Sequence, residues 1–150
     1  MNKKLLELFN KQINLEFYTG YLYYAMSTYF DRIMMKSFSL QMKHMASFEL
    51  ELAQKMYDYL ILRNEKLIFQ KIKEPKADWH DVSNVFSDIL VHEEMLFCEV
   101  QNLHEIAKDM ADIAMSEFLS DILNKKTISL KNARKIASGI ESSQNLAGII

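Results

Sequence analysis

Four charged residues interrupt otherwise apolar helical stripes in this chain. Residues at alternating steps of three and four lie on one face of a helix. In this chain such steps give four apolar stripes, each with one charged residue near its middle. The four charges are Glu16, Glu49, Glu93 and Lys126. An isolated buried charge is costly, so it normally finds a partner or becomes neutral. Carboxylates that meet in the core of a helical bundle can bind a metal, and the lysine ammonium is the alternative counter-cation.

The elements that carry these charges are four long helices. The stripes occupy residues 9–30, 38–59, 82–107 and 115–136, and they predict helices at about 3–30, 34–62, 81–109 and 112–138. Asn2 and Asp81 are the predicted N-caps. Residues 64–80 hold the only proline and form the one long connection. The pattern predicts an all-α four-helix bundle with one crossover, a single domain over 1–150, and a short tail at 139–150 that contains two of the three glycines.

Composition narrows the possible classes of protein. With 150 residues the chain suits one domain, and the net charge of −2 with no basic arm argues against nucleic acid as a partner. The single Cys98 rules out an intramolecular disulfide. The first thirty residues show no signal-peptide pattern, and no apolar run reaches the roughly 18 residues of a membrane helix. We therefore expect a soluble cytoplasmic protein with no membrane partner.

Three stretches of the chain resemble the non-haem ferritins, the bacterial branch in particular. They read QINLEFYTGYLYYAMS (12–27), FELELAQKMYDYL (48–60) and VFSDILVHEE (85–94). The resemblance runs from about residue 3 to 138. It implies a homo-oligomeric shell of 24 subunits that takes up Fe(II), oxidises it and stores it as ferric mineral, without haem. The tail is short and polar, so the family's fifth helix is expected to be truncated or missing.

The resemblance also implies a two-iron ferroxidase centre, and this chain keeps only part of it. The family's pattern is matched by Glu16, Tyr23, Glu49 and Glu93. The expected histidine, glutamine and last glutamate are replaced by Leu52, Lys126 and Ser129. A third iron site of bacterial members is also lost, with Phe48, Lys125 and Ile128 where the family has carboxylates.

Two interpretations of this remnant centre stay open. Lys126 can replace the metal by donating hydrogen bonds to the remaining carboxylates, which is similar to the light-chain ferritins of animals. Alternatively, the three glutamates still bind iron and a working centre survives. Ferroxidase activity is accordingly expected to be weak or to occur at an unconventional site.

A second candidate site lies just off the core stripe, on positions that the ferritin arrangement would turn toward the cavity. These positions hold His44, Glu51, Asp58 and Asp121. Carboxylates with an imidazole suit iron, and the alternative is an ordinary hydrated lining. For iron entry, the corner between the third and fourth helices offers His104, Asp109, Asp112 and Glu117. The fit is imperfect, because Ser116 and Leu119 stand where many ferritins line a pore with carboxylates.

The first helix carries more aromatic and apolar residues than one core-facing stripe needs. Those off the stripe are Phe17, Tyr18, Tyr21, Leu22 and Tyr24, and they predict a subunit interface. Besides a storage ferritin, the alternatives are a structural ferritin chain that depends on a second ferritin chain for oxidation, and a DNA-protecting mini-ferritin. The mini-ferritin is less favoured, because the first helix lacks that family's interface histidines. A peroxidase of the rubrerythrin type would need two E-x-x-H motifs that the chain does not have.

Overall fold

The computed structural model describes the backbone of residues 1–149 and the side chains of residues 1–140. Over these residues the chain is all-α, with four long helices in chain order. They are α1 (Lys3–Arg32), α2 (Lys36–Leu62), α3 (Val82–Asp109) and α4 (Ile113–Ile149). The long connection expected from the sequence lies between α2 and α3, over residues 63–81.

Helix starts are capped by side chains that the sequence predicts. Asn2 Oδ1 accepts hydrogen bonds from the backbone N–H groups of Lys4 and Leu5 at 2.9 and 3.3 Å. Asp81 caps α3 through the N–H of Asn84 at 2.9 Å. These bonds satisfy donors that the first turn of a helix leaves without intrahelical partners.

Three helices end in the same way, although none of them ends on a glycine. Met34, Asn64 and Ala111 follow α1, α2 and α3 with φ of 62°, 56° and 56°, in the left-handed region. In each case the next residue's N–H bonds a helix carbonyl five residues back, at 2.9–3.0 Å. This is the Schellman geometry, which satisfies the last carbonyls and turns the chain sharply. Two of these residues, Met34 and Ala111, are of types that give no sequence signal for a left-handed turn, whereas asparagine tolerates it.

The structure divides into two compact units, of which the first is Met1–Asp78. In this unit α1 and α2 pack against each other as an antiparallel pair. The Phe9 ring near the start of α1 lies against the Tyr59 ring near the end of α2, with centroids 5.9 Å apart and planes tilted by 44°. Phe30 meets Phe38 at the other end of the pair, at 5.2 Å.

The segment 66–70, called the strap below, lies along α1 and is held there by two asparagines. Asn10 donates to the carbonyl of Lys66 at 3.1 Å and accepts from the N–H of Ile68 at 2.7 Å. Asn14 donates to the carbonyl of Ile68 and accepts from the N–H of Gln70, both at 2.9 Å. Residues four apart on a helix are separated by ~6 Å along the axis, and alternate residues of an extended chain by ~6.6 Å. The two spacings match, so two helical side chains can pair with alternate residues of the strap.

The second unit begins at Trp79, and its helices α3 and α4 pack against each other. Trp79 is buried, and its indole N–H donates to Asp88 at 2.8 Å. The helix α4 continues to Ile149, so the predicted helix end at 138 and the predicted tail at 139–150 are wrong as far as Ile149. Glycine costs a helix only ~1 kcal/mol relative to alanine, and Gly139 did not end this one. The side chains of the expected tail beyond residue 140 lie outside the described residues.

No helix in the described part of the chain is long and apolar enough to cross a membrane.

Candidate functional site

The first unit places two of the predicted glutamates inside its helical pair. Glu16 on α1 is fully buried, and Glu49 on α2 is 1% exposed. Tyr23, two turns beyond Glu16, is also fully buried. Gly20 lies between them on the same face of α1, and a Cβ there would come within 2.7 Å of the Leu50 side chain. The missing side chain at Gly20 therefore allows α2 to approach α1 at the level of the buried glutamates.

A hydrogen bond within α1 supports the Glu16 carboxylate. Gln12, one turn earlier, donates from Nε2 to Glu16 Oε1 at 2.8 Å. Gln12 is itself only 3% exposed, so this bond is shielded from water. A carboxamide is neutral, so it satisfies one acceptor of the carboxylate without removing the negative charge.

Leu52 lies on α2 one turn beyond Glu49, where the ferritin pattern expects the histidine. Leu52 is 3% exposed, so the position points into the protein, but an isobutyl side chain offers no donor atom to a metal. The first unit therefore contains two buried carboxyl groups, Glu16 and Glu49, and an apolar side chain, Leu52, at the position where a nitrogen ligand is expected.

The second unit carries the other two interrupting charges at equally buried positions. Glu93 on α3 is 1% exposed, and Lys126 on α4 is fully buried. Lysine is almost never fully buried unless it is paired. Ser129, one turn further along α4, is half-buried.

The described residues contain no cluster of metal-ligating side chains. Within residues 1–140, no three His, Cys, Asp or Glu side chains group closely enough to hold a metal ion. Where the ferritin pattern expects a histidine and a glutamine, Leu52 offers no donor atom and Lys126 is a basic side chain.

The alternative site on the helix surfaces consists of exposed side chains. His44, Glu51 and Asp58 are exposed on α2, and Asp121 is exposed on α4. On α2, Lys55 is also exposed and lies one turn from both Glu51 and Asp58. The α2 surface is therefore accessible to ions, but a lysine stands between its two carboxylates.

The predicted interface residues of α1 divide into two groups. Leu22 is buried, the Phe17 ring lies 6.0 Å from that of Phe69, and Lys73 Nζ lies 4.9 Å above the Tyr18 ring. Phe17 and Tyr18 are thus contacted by the strap and by the residues that follow it. Tyr21 and Tyr24 stay 56% and 41% exposed, so only these two present large apolar surface to a partner.

One of the predicted pore residues has a structural role. Asp112 Oδ1 accepts a hydrogen bond from the N–H of Met115 at 3.0 Å and so caps α4. His104 is half-buried, while Asp109 and Glu117 are exposed.

Sequence reasoning missed the buried amides of α1. Asn10, Gln12 and Asn14 are 4%, 3% and 8% exposed, although none of them belongs to the core stripe. The one available signal was spacing, because Asn10 and Asn14 are four apart, as are Gln12 and Glu16. What buries the two asparagines is the strap, more than fifty residues away in sequence.

Comparison with known proteins defines the class. The family model described as ferritin-like domain matches residues 6–142, which span both units. The chain is 32% identical over 126 residues to a bacterial non-heme ferritin of Staphylococcus epidermidis, covering 84% of this chain and 76% of that protein. A bacterial non-heme ferritin of Staphylococcus aureus strain USA300 is 31% identical with the same coverage.

Solved structures give the same result. An open pore ferritin from the hyperthermophilic archaeon Archaeoglobus fulgidus matches with a TM-score of 0.92 and 30% identity, covering 94% of this chain and 86% of that one. A humanized archaeal ferritin matches with a TM-score of 0.92, covering 99% and 93%. The predicted fold class, an all-α ferritin-like bundle of four helices, is confirmed. The chain belongs to the ferritin-like domain family.

Proposed function

We propose that this chain is the subunit of an iron-storage shell in which the conventional two-iron centre inside the bundle has been replaced by a metal-free charge network. Fe(II) and the ferric mineral are the cargo of the shell. Membership of the ferritin-like family supports storage, and the replaced ligand positions support the loss of the centre.

The observation that carries this proposal is the complete burial of Lys126. An ammonium that is removed from water needs anionic partners, and the resemblance puts Glu16, Glu49 and Glu93 in the same centre. Three ionised carboxylates and one ammonium sum to a charge of −2. A lysine in this network occupies the region where a first metal ion would otherwise neutralise the carboxylates.

The Leu52 side chain supports the same conclusion from the α2 side. An imidazole ligand at this position would supply the only nitrogen donor of the centre, and a buried leucine supplies none. Losing the nitrogen donor and gaining a cation both lower the affinity of the centre for Fe(II). We therefore expect oxidation inside the bundle to be slow or absent.

Oxidation then takes place elsewhere, and the exposed surface of α2 is the site that we favour. Glu51 and Asp58 offer oxygen ligands for iron, and His44 offers an imidazole further along the helix. The growing mineral and a second ferritin chain are the remaining places for oxidation. The shell itself is proposed to contain 24 copies of the chain and to reside in the cytoplasm.

A gain-of-function variant tests the proposed loss of the centre. Restoring the replaced ligands by Leu52→His, Lys126→Gln and Ser129→Glu is expected to create a fast, saturable phase of Fe(II) oxidation that the natural chain lacks. The matched control adds Glu16→Ala to the triple variant and is expected to remove that phase. A triple variant that assembles but oxidises Fe(II) at the natural rate would contradict the proposal.

A further inference from the structure

The Gln12 amide is a neutral group that donates a hydrogen bond to a buried carboxyl group of the candidate site. Its Nε2 lies 2.8 Å from Glu16 Oε1, and both side chains are buried. The Gln12 nitrogen faces Glu16, so the amide is the donor and the carboxyl oxygen the acceptor. Side chains of a helix lean toward its N-terminus, so Glu16 leans back over the turn that contains Gln12.

We propose that Gln12 is the positioning residue of Glu16. Its hydrogen bond occupies Oε1 and fixes the rotation of the carboxylate, which leaves Oε2 oriented for a cation. A neutral donor suits this role better than a lysine, because it orients the carboxylate and leaves the negative charge available. This role rests on the proposed function, in which the cation at Glu16 of the natural chain is the Lys126 ammonium. In the variant with restored ligands, Leu52→His, Lys126→Gln and Ser129→Glu, a metal ion takes its place.

Stability of the natural chain gives the first test. Gln12→Met preserves volume and removes the amide, and it is expected to lower the thermal unfolding midpoint by roughly 3–10 °C, because a hydrogen bond to a buried charge is lost. In a Glu16→Leu background the same change is expected to lower the midpoint by much less. An equal shift in both backgrounds would show that Gln12 does not act through Glu16 and would overturn the inference.

Metal affinity gives a second test that a purely structural role would not affect. In the restored variant with Leu52→His, Lys126→Gln and Ser129→Glu, Co(II) binding is followed by its visible absorption. Adding Gln12→Met is expected to weaken Co(II) binding by about 10- to 100-fold, the usual effect of losing a group that orients a metal ligand.

The matched control removes a different buried polar group from the same helix. Ser27 is 1% exposed and donates to the carbonyl of Tyr24 at 2.7 Å, far from Glu16 along α1. Ser27→Ala in the restored variant is expected to leave Co(II) affinity unchanged. Equal Co(II) affinities with and without Gln12→Met would overturn the inference. A restored variant that binds no Co(II) would count against the proposed function, and the coupling measured in the natural chain would then decide the role of Gln12.

Discussion

Lys126 is fully buried on α4, at a mid-helix position that corresponds to those of Glu16, Glu49 and Glu93 on their own helices. At this scale the proposed function is an exchange of one kind of cation for another. A metal binds reversibly, whereas an ammonium carried by the chain is always present. Under the proposal, the carboxylates keep this one positive charge whether or not the shell contains iron.

Removing the Lys126 ammonium should be costly to the folded chain. Lys126→Met keeps a long side chain but leaves buried carboxylates without their counter-cation, and we expect the free energy of unfolding to fall by about 3–5 kcal/mol. Chemical denaturation of the variant measures this loss. Lys131→Met is the control, because Lys131 lies on α4 but is exposed, and a change of no more than about 0.5 kcal/mol is expected there. A Lys126→Met variant as stable as the control would mean that no ion pair depends on this lysine.

At the scale of the helices, the sharp turns after α1 and α3 are built from residues that resist the required conformation. Met34 and Ala111 adopt positive φ, which costs a residue with a Cβ roughly 1–2 kcal/mol. Both side chains are exposed, so they gain little by packing. Asn64 adopts the same conformation more easily, because asparagine tolerates the left-handed region.

Glycine at these turns should therefore stabilise the chain. Met34→Gly and Ala111→Gly are each expected to raise the free energy of unfolding by about 0.5–1.5 kcal/mol, because the strain removed exceeds the added flexibility of the unfolded state. Asn64→Gly serves as the internal comparison and should change stability by a few tenths of a kcal/mol. Thermal unfolding of the three variants under identical conditions shows whether Met34→Gly and Ala111→Gly gain more stability than Asn64→Gly. If Asn64→Gly gained as much as Met34→Gly, left-handed strain would not be the cause.

The strap depends on the two asparagines of α1 in a way that hydrogen exchange can measure. The amides of Ile68 and Gln70 donate to Asn10 and Asn14. With Asn10→Ala and Asn14→Ala combined, we expect these two amides to lose most of their protection, since each lost bond to a buried group is worth about 1–3 kcal/mol. Peptides from the middle of α3 should keep their protection and act as the control. Unchanged exchange at Ile68 and Gln70 would mean that the strap is held by its side chains instead.

At the scale of the whole molecule, helical periodicity was enough to predict much of the architecture. A period of 3.6 residues places Glu16, Glu49, Glu93 and Lys126 on core faces, and the structure buries all four. The same rule treats polar residues beside the stripe as solvent-facing, which is why Gln12 and Asn14 were missed. Asn14 bonds the strap, and Gln12 bonds Glu16 on the same helix. Neither contact can be predicted from the spacing of the apolar residues.

Other errors come from giving local signals too much weight. Two glycines near the C-terminus suggested the end of α4, but single glycines only weaken a helix. The interface predicted from the aromatic surplus of α1 stays a prediction, and part of that surplus is explained within the chain, because Phe17 and Tyr18 contact Phe69 and Lys73. The place where iron is oxidised depends on how tightly individual sites of the shell bind iron. Helical periodicity carries no information about that affinity.

The first measurement should be the rate of Fe(II) oxidation, because it shows whether the bundle core is inactive. About two Fe(II) per subunit, enough to fill a two-metal centre, are mixed rapidly in air with the purified apo-protein, and absorbance is followed. The comparison variants are Glu16→Ala/Glu49→Ala for the bundle core and Glu51→Ala/Asp58→Ala for the α2 surface. We expect the core variant to oxidise Fe(II) at the natural rate and any fast phase to fall in the surface variant. A fast, saturable phase that disappears in Glu16→Ala/Glu49→Ala would contradict the proposed function, because the core would then still oxidise iron.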